Sequence, residues 1–301
     1  MPLPLPPTRP GDIRRVAFLG TPDIAVPTLR GLHAAGFEIP IVISGADKRR
    51  GRGRDLSPTP IKAAAIELEL AVSADVDELL AEHEREPIDL AVVVAFGQLI
   101  RMSALTQIPM VNTHFSRLPR WRGAAPVERA ILAGDTSTAI SVMSVVEGLD
   151  EGDVWASVDV LIGVDDTLSS LWESMSVEGA DLMIETMRGG FTKAEPQVGE
   201  SLYARKLTAD DLQLDWNRSA DDLLRIVRVG NAWTTLDGER FKIHDAEVVD
   251  STLDPGVISA LVVGTGDAGL TLTIVQPAGK PRMDASAWAN GARPDGSVFG
   301  V

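Results

Sequence analysis

The sequence predicts an α/β protein: a parallel-rich sheet with helices on both faces, followed by a small β-barrel. Three observations carry that reading. Over residues 14–187, short apolar runs alternate with segments whose apolar residues recur at helical spacing. That is the pattern of right-handed strand–helix–strand crossovers. Over residues 232–276, short apolar runs are broken instead by Asp237-Gly238, Pro255-Gly256 and the Gly264/Gly266 pair, as in a small barrel. Between them, residues 189–201 are rich in Gly, Pro and polar side chains and read as a linker. A chain of 301 residues accommodates two such domains, at roughly 100–200 residues each.

Each element has its own warrant. Residues 14–19 end in Gly20 and suit a buried strand. Residues 22–35 place Ile24, Val26, Leu29, Leu32 and Ala35 on one helical face, with Pro in the first turn and Gly36 past the end. Residues 39–43 read as a second strand, 60–69 as a helix, and 78–84 as part of another. Residues 90–95 form a fully apolar strand, and 110–114 a further one. A helix over 124–133, strands over 139–146 and 154–161, and a helix from Asp166 or Thr167 to about Met187 complete the first part. Residues 220–229 are helical in pattern, and no internal repeat is visible. Ligands of such sheets sit at the carboxyl ends of strands, so the loops after Leu19, Ile43, Ala95 and His114 are the informative ones.

Composition narrows the chemistry. No cysteine means no disulfide, no thiol nucleophile and no thiolate metal site. Four scattered histidines (His33, His83, His114, His244) argue against a His-rich metal centre. Five of the first ten residues are Pro, with neither the basic start nor the apolar stretch of a signal peptide. No run of about 20 apolar residues predicts a membrane span. A soluble, cytoplasmic protein is expected. The net charge of −15 argues, taken whole, against a nucleic-acid partner. Residues 48–54 nonetheless carry five cations and no anion. That run, Lys48, Arg49, Arg50, Arg52 and Arg54 on Gly hinges, is either a solvated loop or a phosphate-contacting one.

The candidate chemistry gathers after the strands. The turn after the first strand, Gly20-Thr21-Pro22-Asp23, is not the GxGxxG of a dinucleotide fingerprint, and no Walker-type or GxSxG motif occurs. Alternation places Asn112 and His114 on one face at a strand end. An amide donor beside a titratable imidazole stabilises a developing oxyanion and moves a proton. The Gly-flanked acidic loop 147–153 is either a plain turn or a carrier that brings Asp150 to His114. Arg120, Trp121 and Arg122 are either an exposed loop or a surface for a sugar–phosphate or terminal nucleotide.

Together, FLGTPDIAVPTL (18–29), GRGRDLSPTPIK (51–62), VVVAFGQLI (92–100), VNTHFSRLPRWRGAAPVERAILAGD (111–135) and EGLDEGD (147–153) resemble the methionyl-tRNA formyltransferase family. These enzymes use 10-formyltetrahydrofolate. The likeness covers nearly all of residues 14–190. It continues more weakly through YARKL (203–207), LDW (214–216) and VQPAGK (275–280). The resemblance implies a Rossmann-like catalytic domain over 13–188, a linker over 189–206 and an OB-like domain over 207–301, after a flexible tail over 1–12. It implies Asn112, His114 and Asp150 as the catalytic triplet. The implied folate pocket comprises Ala95, Phe96, Gly97, Leu99, Ile100, Ser116, Leu118, Pro119, Val146, Gly148, Leu149 and Gly152. Arg52 matches an arginine that reaches the tRNA acceptor end. Arg49, Arg50, Arg54, Arg120, Trp121 and Arg122 are expected to support it.

The implied reaction carries a formyl group from 10-formyltetrahydrofolate, as co-substrate, to the α-amino group of initiator methionyl-tRNA. No metal is needed, and a monomer is expected. The alternative acceptor is an amino sugar nucleotide or another small amine. The family's Asn-Pro-Trp-Pro motif is replaced by Asn231-Ala232-Trp233-Thr234. Residues 201–301 carry 10 Lys plus Arg against 14 Asp plus Glu, so a smaller RNA-binding share is expected of the second domain.

Overall fold

Strand β1 (Val16–Gly20) is buried along its whole length, as a central strand covered on both faces must be. In this computed structural model, which describes residues 1–50 and 55–300, it opens a seven-stranded sheet. A single 3-10 turn leads into α1 (Val26–Ala34), later than the periodicity predicts. The second strand contracts to β2 (Val42–Ile43), because Pro40 has no N–H for the ladder. A small hairpin follows, β3 (Lys48–Arg50) with β4 (Asp55–Ser57). Helix α2 (Pro60–Glu67) has Pro at its first turn, and its Thr59 cap accepts the Lys62 N–H at 3.1 Å.

After β5 (Val72–Ser73) and α3 (Asp77–Arg85) comes β6 (Leu90–Val94), again wholly buried. The short α4 (Met102–Leu105) precedes β7 (Met110–His114). Then follow β8 (Arg122–Gly123), α5 (Pro126–Ala133), β9 (Ser137–Ser144), β10 (Val154–Leu161), α6 (Leu168–Gly189) and β11 (Tyr203–Ala204). The sheet order is β10-β9-β7-β6-β1-β2-β5. β1, β2, β5, β6 and β7 are mutually parallel, whereas β9 runs antiparallel to both β7 and β10. Helix α5 starts two residues later than predicted, because the N–H groups of Ala124 and Ala125 both donate to the Ala204 carbonyl.

The chain divides into two units. Met1–Pro126, Ser137–Leu161 and Trp172–Arg205 form the first; Val127–Thr136, Ile162–Leu171 and Lys206–Val301 form the second. The first twelve residues, predicted as a flexible tail, are anchored in the first unit. The Leu3 N–H donates to Leu105, Thr8 exchanges hydrogen bonds with Phe191, and Leu5 is buried. The segment predicted as a linker over 189–206 runs within the first unit as far as Arg205.

The second unit holds α7 (Ala220–Val229), capped by Ser219, and then β12 (Trp233–Leu236), β13 (Glu239–Val249), β14 (Ile258–Ser259), β15 (Val262–Gly264), β16 (Gly269–Gln276), β17 (Met283–Asp284) and α8 (Ala285–Ala292). These strands pair antiparallel in the order β12-β13-β16-β15-β14, with β17 on β16. Its core joins Leu223, Ile226, Phe241, Ile243 and Leu272 to a cluster of Trp216, Trp288 and Phe299 rings. Among the described residues, no helix is long and apolar enough to cross a membrane.

Candidate active site

The parallel strands deliver their last residues to one edge, and the loops there leave ordinary backbone geometry. Ala95, Trp121 and Asp150 all adopt positive φ, at 46°, 62° and 53°. For residues with a Cβ this costs roughly 1–2 kcal/mol each, so surrounding contacts must hold them there.

His114 ends β7 and is buried. Its Nε2 lies 2.9 Å from the Trp121 carbonyl, which only accepts, so Nε2 carries a proton. Its Nδ1 faces Asp150 Oδ2 at 3.6 Å. The ring therefore has a carbonyl oxygen at one nitrogen and a carboxylate oxygen facing the other. The same Oδ2 accepts the Gly123 N–H at 2.8 Å, which fixes the carboxylate. Asn112 is half-buried on the same strand, and its carboxamide has no hydrogen-bond partner among the described residues. An amide donor thus stands ready beside an oriented imidazole–carboxylate pair.

Two glycines make this approach possible. A Cβ on Gly123, whose φ is +111°, would stand 2.9 Å from the Ala204 carbonyl oxygen, and one on Gly152 only 1.9 Å from that of Ser144. Ser116 donates to the Arg120 carbonyl at 2.7 Å and shapes the turn that presents Trp121 O. Leu118 and Pro119, in the same turn, share a cis peptide bond.

The predicted folate residues divide by position. Phe96 and Ile100 pack on the cluster that also holds Val93, Met110 and Val145, so the loops after β6 and β9 share one base. The Phe96 carbonyl is tied to Thr21 at 2.9 Å. Leu99 is 87% exposed and Leu149 61%, apolar surface that suits a flat heterocycle. Among the described residues, the N–H groups of Gly97, Gln98, Leu99 and Ile100 donate to no backbone carbonyl, which leaves polar partners for such a ring. Val146 and Gly148 lie on the loop that carries Asp150.

Of the predicted RNA-contacting residues, Arg52 and Arg54 lie outside the described residues. Arg49 and Arg50 fall in β3. The Arg120 guanidinium stacks over the Trp121 ring at 4.6 Å. Arg122 is turned inward instead: both its Nε and Nη2 donate to Gln197 Oε1, and its Nη1 lies 3.5 Å from Glu151. Gln197 sits in a polar, Gly/Pro-rich stretch of the sequence that carries no periodic signal.

The other histidines described with bonds are structural. His83 Nδ1 accepts the Ile88 N–H at 3.0 Å. His244 bonds Gln276 at 3.0 Å and Arg282 at 2.7 Å. Burial pushes the His244 pKa below the ordinary range, the Gln276 bond opposes this, and the nearby Arg282 and Lys242 charges reinforce it. Among the described residues, no group of three or more His, Asp or Glu side chains is placed to hold a metal.

Comparison with known proteins now bears on this site. Residues 14–187 match the family profile described as formyl transferase, and residues 206–293 match the formyl transferase C-terminal domain. The methionyl-tRNA formyltransferase of Paenarthrobacter aurescens is 41% identical, covering 95% of this chain and 99% of that protein. Among solved structures, HypX from Aquifex aeolicus in complex with tetrahydrofolic acid superposes with a TM-score of 0.65 at 17% identity. It covers 91% of this chain and 46% of its own. Methionyl-tRNA formyltransferase from Clostridium thermocellum gives 0.52 at 14%, covering 78% and 93%. At such identities these two likenesses speak to fold alone. Both profiles match in order, and the 41% identity runs along nearly the whole of both chains; the chain belongs to the methionyl-tRNA formyltransferase family.

Proposed function

We propose that the protein transfers the formyl group of 10-formyltetrahydrofolate to the α-amino group of methionyl-tRNA, the initiator species. The observation that carries this reading is the near-full-length identity with methionyl-tRNA formyltransferases. The reading includes a division of labour among the residues. Bound folate supplies the formyl carbon, held between the segment 95–100 and the loop 146–152, with Ser116, Leu118 and Pro119 below. Asn112 donates its amide N–H to the formyl oxygen as negative charge develops there. The Trp121 carbonyl and Asp150 fix the His114 ring on the same strand face. As the new C–N bond forms, the attacking amine gives up a proton and the departing folate nitrogen receives one; His114 and Asp150 provide the relay. Preorganised donors of this kind are worth about 10²–10³ in rate each. Holding both substrates in line adds an entropic share.

The acceptor is read outside the catalytic triplet. Arg49, Arg50, Arg52 and Arg54 supply phosphate contacts, and the Arg120–Trp121 stack supplies a platform for a terminal nucleotide. The protein works as a monomer in the cytoplasm, where charged tRNA is found. A competition assay tests the acceptor. Methionyl-tRNA and a nucleotide-linked amino sugar are mixed at equal concentration with labelled 10-formyltetrahydrofolate. Label on the RNA is expected. Label mainly on the sugar would transfer the same chemistry to a small amine and overturn the reading.

A further inference from the structure

The carboxamide of Gln197 is saturated by groups that belong to the site. Its Nε2 donates to the carbonyls of Asp150 at 2.9 Å and Gly152 at 2.7 Å. Its Oε1 accepts from Arg122 Nε at 2.9 Å and Nη2 at 2.7 Å. Four bonds use the whole capacity of a primary amide. One side of the amide holds the loop that carries Asp150. The other holds β8, whose Gly123 N–H grips the Asp150 carboxylate. Gln197 therefore closes a ring through the Asp150 main chain, the Asp150 side chain, Gly123 and Arg122.

The segment around it is fastened on both sides. Glu195 exchanges two 2.8 Å backbone bonds with Val154, and β11 pairs in parallel with β8. Tyr203 OH reaches Glu151 at 3.4 Å. This support has a reason: Asp150 sits at a positive φ that its own short loop does not favour. The strap holds the main chain of the loop, and the Gly123 N–H holds the carboxylate, so both keep Asp150 on the His114 side.

We infer that Gln197 is a positioning residue for formyl transfer, setting the Asp150 carboxylate against His114 from outside the reacting centre. The inference rests on the reading of Asp150 and His114 as the catalytic pair. Gln197 suits the task better than an acid. A Glu keeps an acceptor for Arg122 but has no N–H for the loop, and it brings a second carboxylate beside Asp150.

A double-mutant cycle tests it. Gln197→Met and Gln197→Glu are each made in the native protein and in Asp150→Asn, and formyl transfer to methionyl-tRNA is measured with thermal melting alongside. Gln197→Met is expected to lower kcat by about tenfold to a hundredfold, the scale of a 1 Å misplacement. KM for both substrates should stay within about threefold. In the Asp150→Asn background the same change should cost less than about twofold, because the group it positions is already gone. Gln197→Glu should fall as far as Gln197→Met, and it serves as the probe if the Met variant does not fold. An equal loss in both backgrounds, or a native rate in Gln197→Glu, would overturn the positioning role. A native rate in Asp150→Asn alone would instead remove the catalytic reading of Asp150, and the proposal with it.

Discussion

Charged side chains gather at both ends of the parallel strands, and they are held in opposite ways. At the amino ends, Arg15 precedes β1 and is buried among carboxylates. It pairs with Glu82, with Glu38 at 3.0 Å and with Glu86 at 3.4 Å, and Glu82 also pairs with Arg85. Asp89 accepts the N–H groups of Arg14 and Arg15 at 2.9 Å each. The charges there are consumed by one another. At the carboxyl ends, the bonds run instead from side chain to main chain: His114 to Trp121, Asp150 to Gly123, Gln197 to Asp150 and Gly152. Bonds to the main chain fix direction without neutralising charge, and the Asn112 amide has no hydrogen-bond partner among the described residues. One cluster is closed on itself; the other is the one proposed to act on a substrate carbonyl.

Substitutions separate the two ends, and the largest effect is expected at the carboxyl end. Asn112→Ala should lower kcat by about 10²–10³, with a melting temperature close to that of the native protein. Paired transfer assays and thermal melts check both halves. A stability loss in place of a rate loss would make Asn112 a core residue.

The reverse is expected of Glu82→Ala. It leaves the buried Arg15 with only its two more exposed partners and should cost about 3 kcal/mol in urea unfolding, the lower bound for breaking a buried pair. Transfer by the folded protein should proceed at the native rate.

The pH dependence sharpens the contrast between carboxylates. Burial alone would raise the Glu82 pKa above its ordinary 4.5, but hydrogen bonds and charge from Arg85 and Arg15 outweigh it and hold the group lower. Its stabilisation is therefore present above the unfolded-state value and lost as pH falls through the folded one. Glu128, in the first turn of α5, behaves oppositely. Burial raises its pKa against its own backbone N–H and Arg129, and its Oε2 is buried without a hydrogen-bond partner among the described residues. Its contribution is present at low pH and lost as pH rises through the folded value. Glu128→Gln should thus raise the urea midpoint near neutrality and not at pH 4. Glu82→Gln should lower the midpoint most near neutrality and least in acid.

The basic run should act on RNA binding and little on chemistry. Replacing Arg49, Arg50, Arg52 and Arg54 with Ala should weaken methionyl-tRNA binding and reduce its slope against log salt by up to about 3. The rate at saturating RNA should change little. An unchanged slope would make the run a solvated loop.

Much of this was legible in the sequence, for local reasons. The all-apolar run at 90–94 has only one use in an α/β chain, and it is the buried β6. Asn112 and His114 share a strand face by period two, and Gly residues flank Asp150. The Asp237-Gly238 pair forms the turn between β12 and β13, where positive φ is needed twice. What was not legible depends on chain segments meeting from afar. Gln197 reaches loops more than forty residues earlier, and nothing in a polar, Pro-containing stretch signals that approach. The same holds for β11, a two-residue strand whose partner lies 81 positions back. Pro40 shortened β2 because a missing N–H outweighs apolar pattern. The anchoring of residues 1–12 rests on long-range bonds to Leu105 and Phe191 that composition does not encode.

The sharpest test of the account compares both ends of the sheet in one experiment: single-turnover formyl transfer from 10-formyltetrahydrofolate to methionyl-tRNA by the native protein, His114→Ala and Glu82→Ala. The account predicts rapid transfer by the native protein, a rate lower by about 10²–10³ in His114→Ala, and a native rate in the folded fraction of Glu82→Ala. Native-rate transfer by His114→Ala, or no transfer by the native protein, would contradict it.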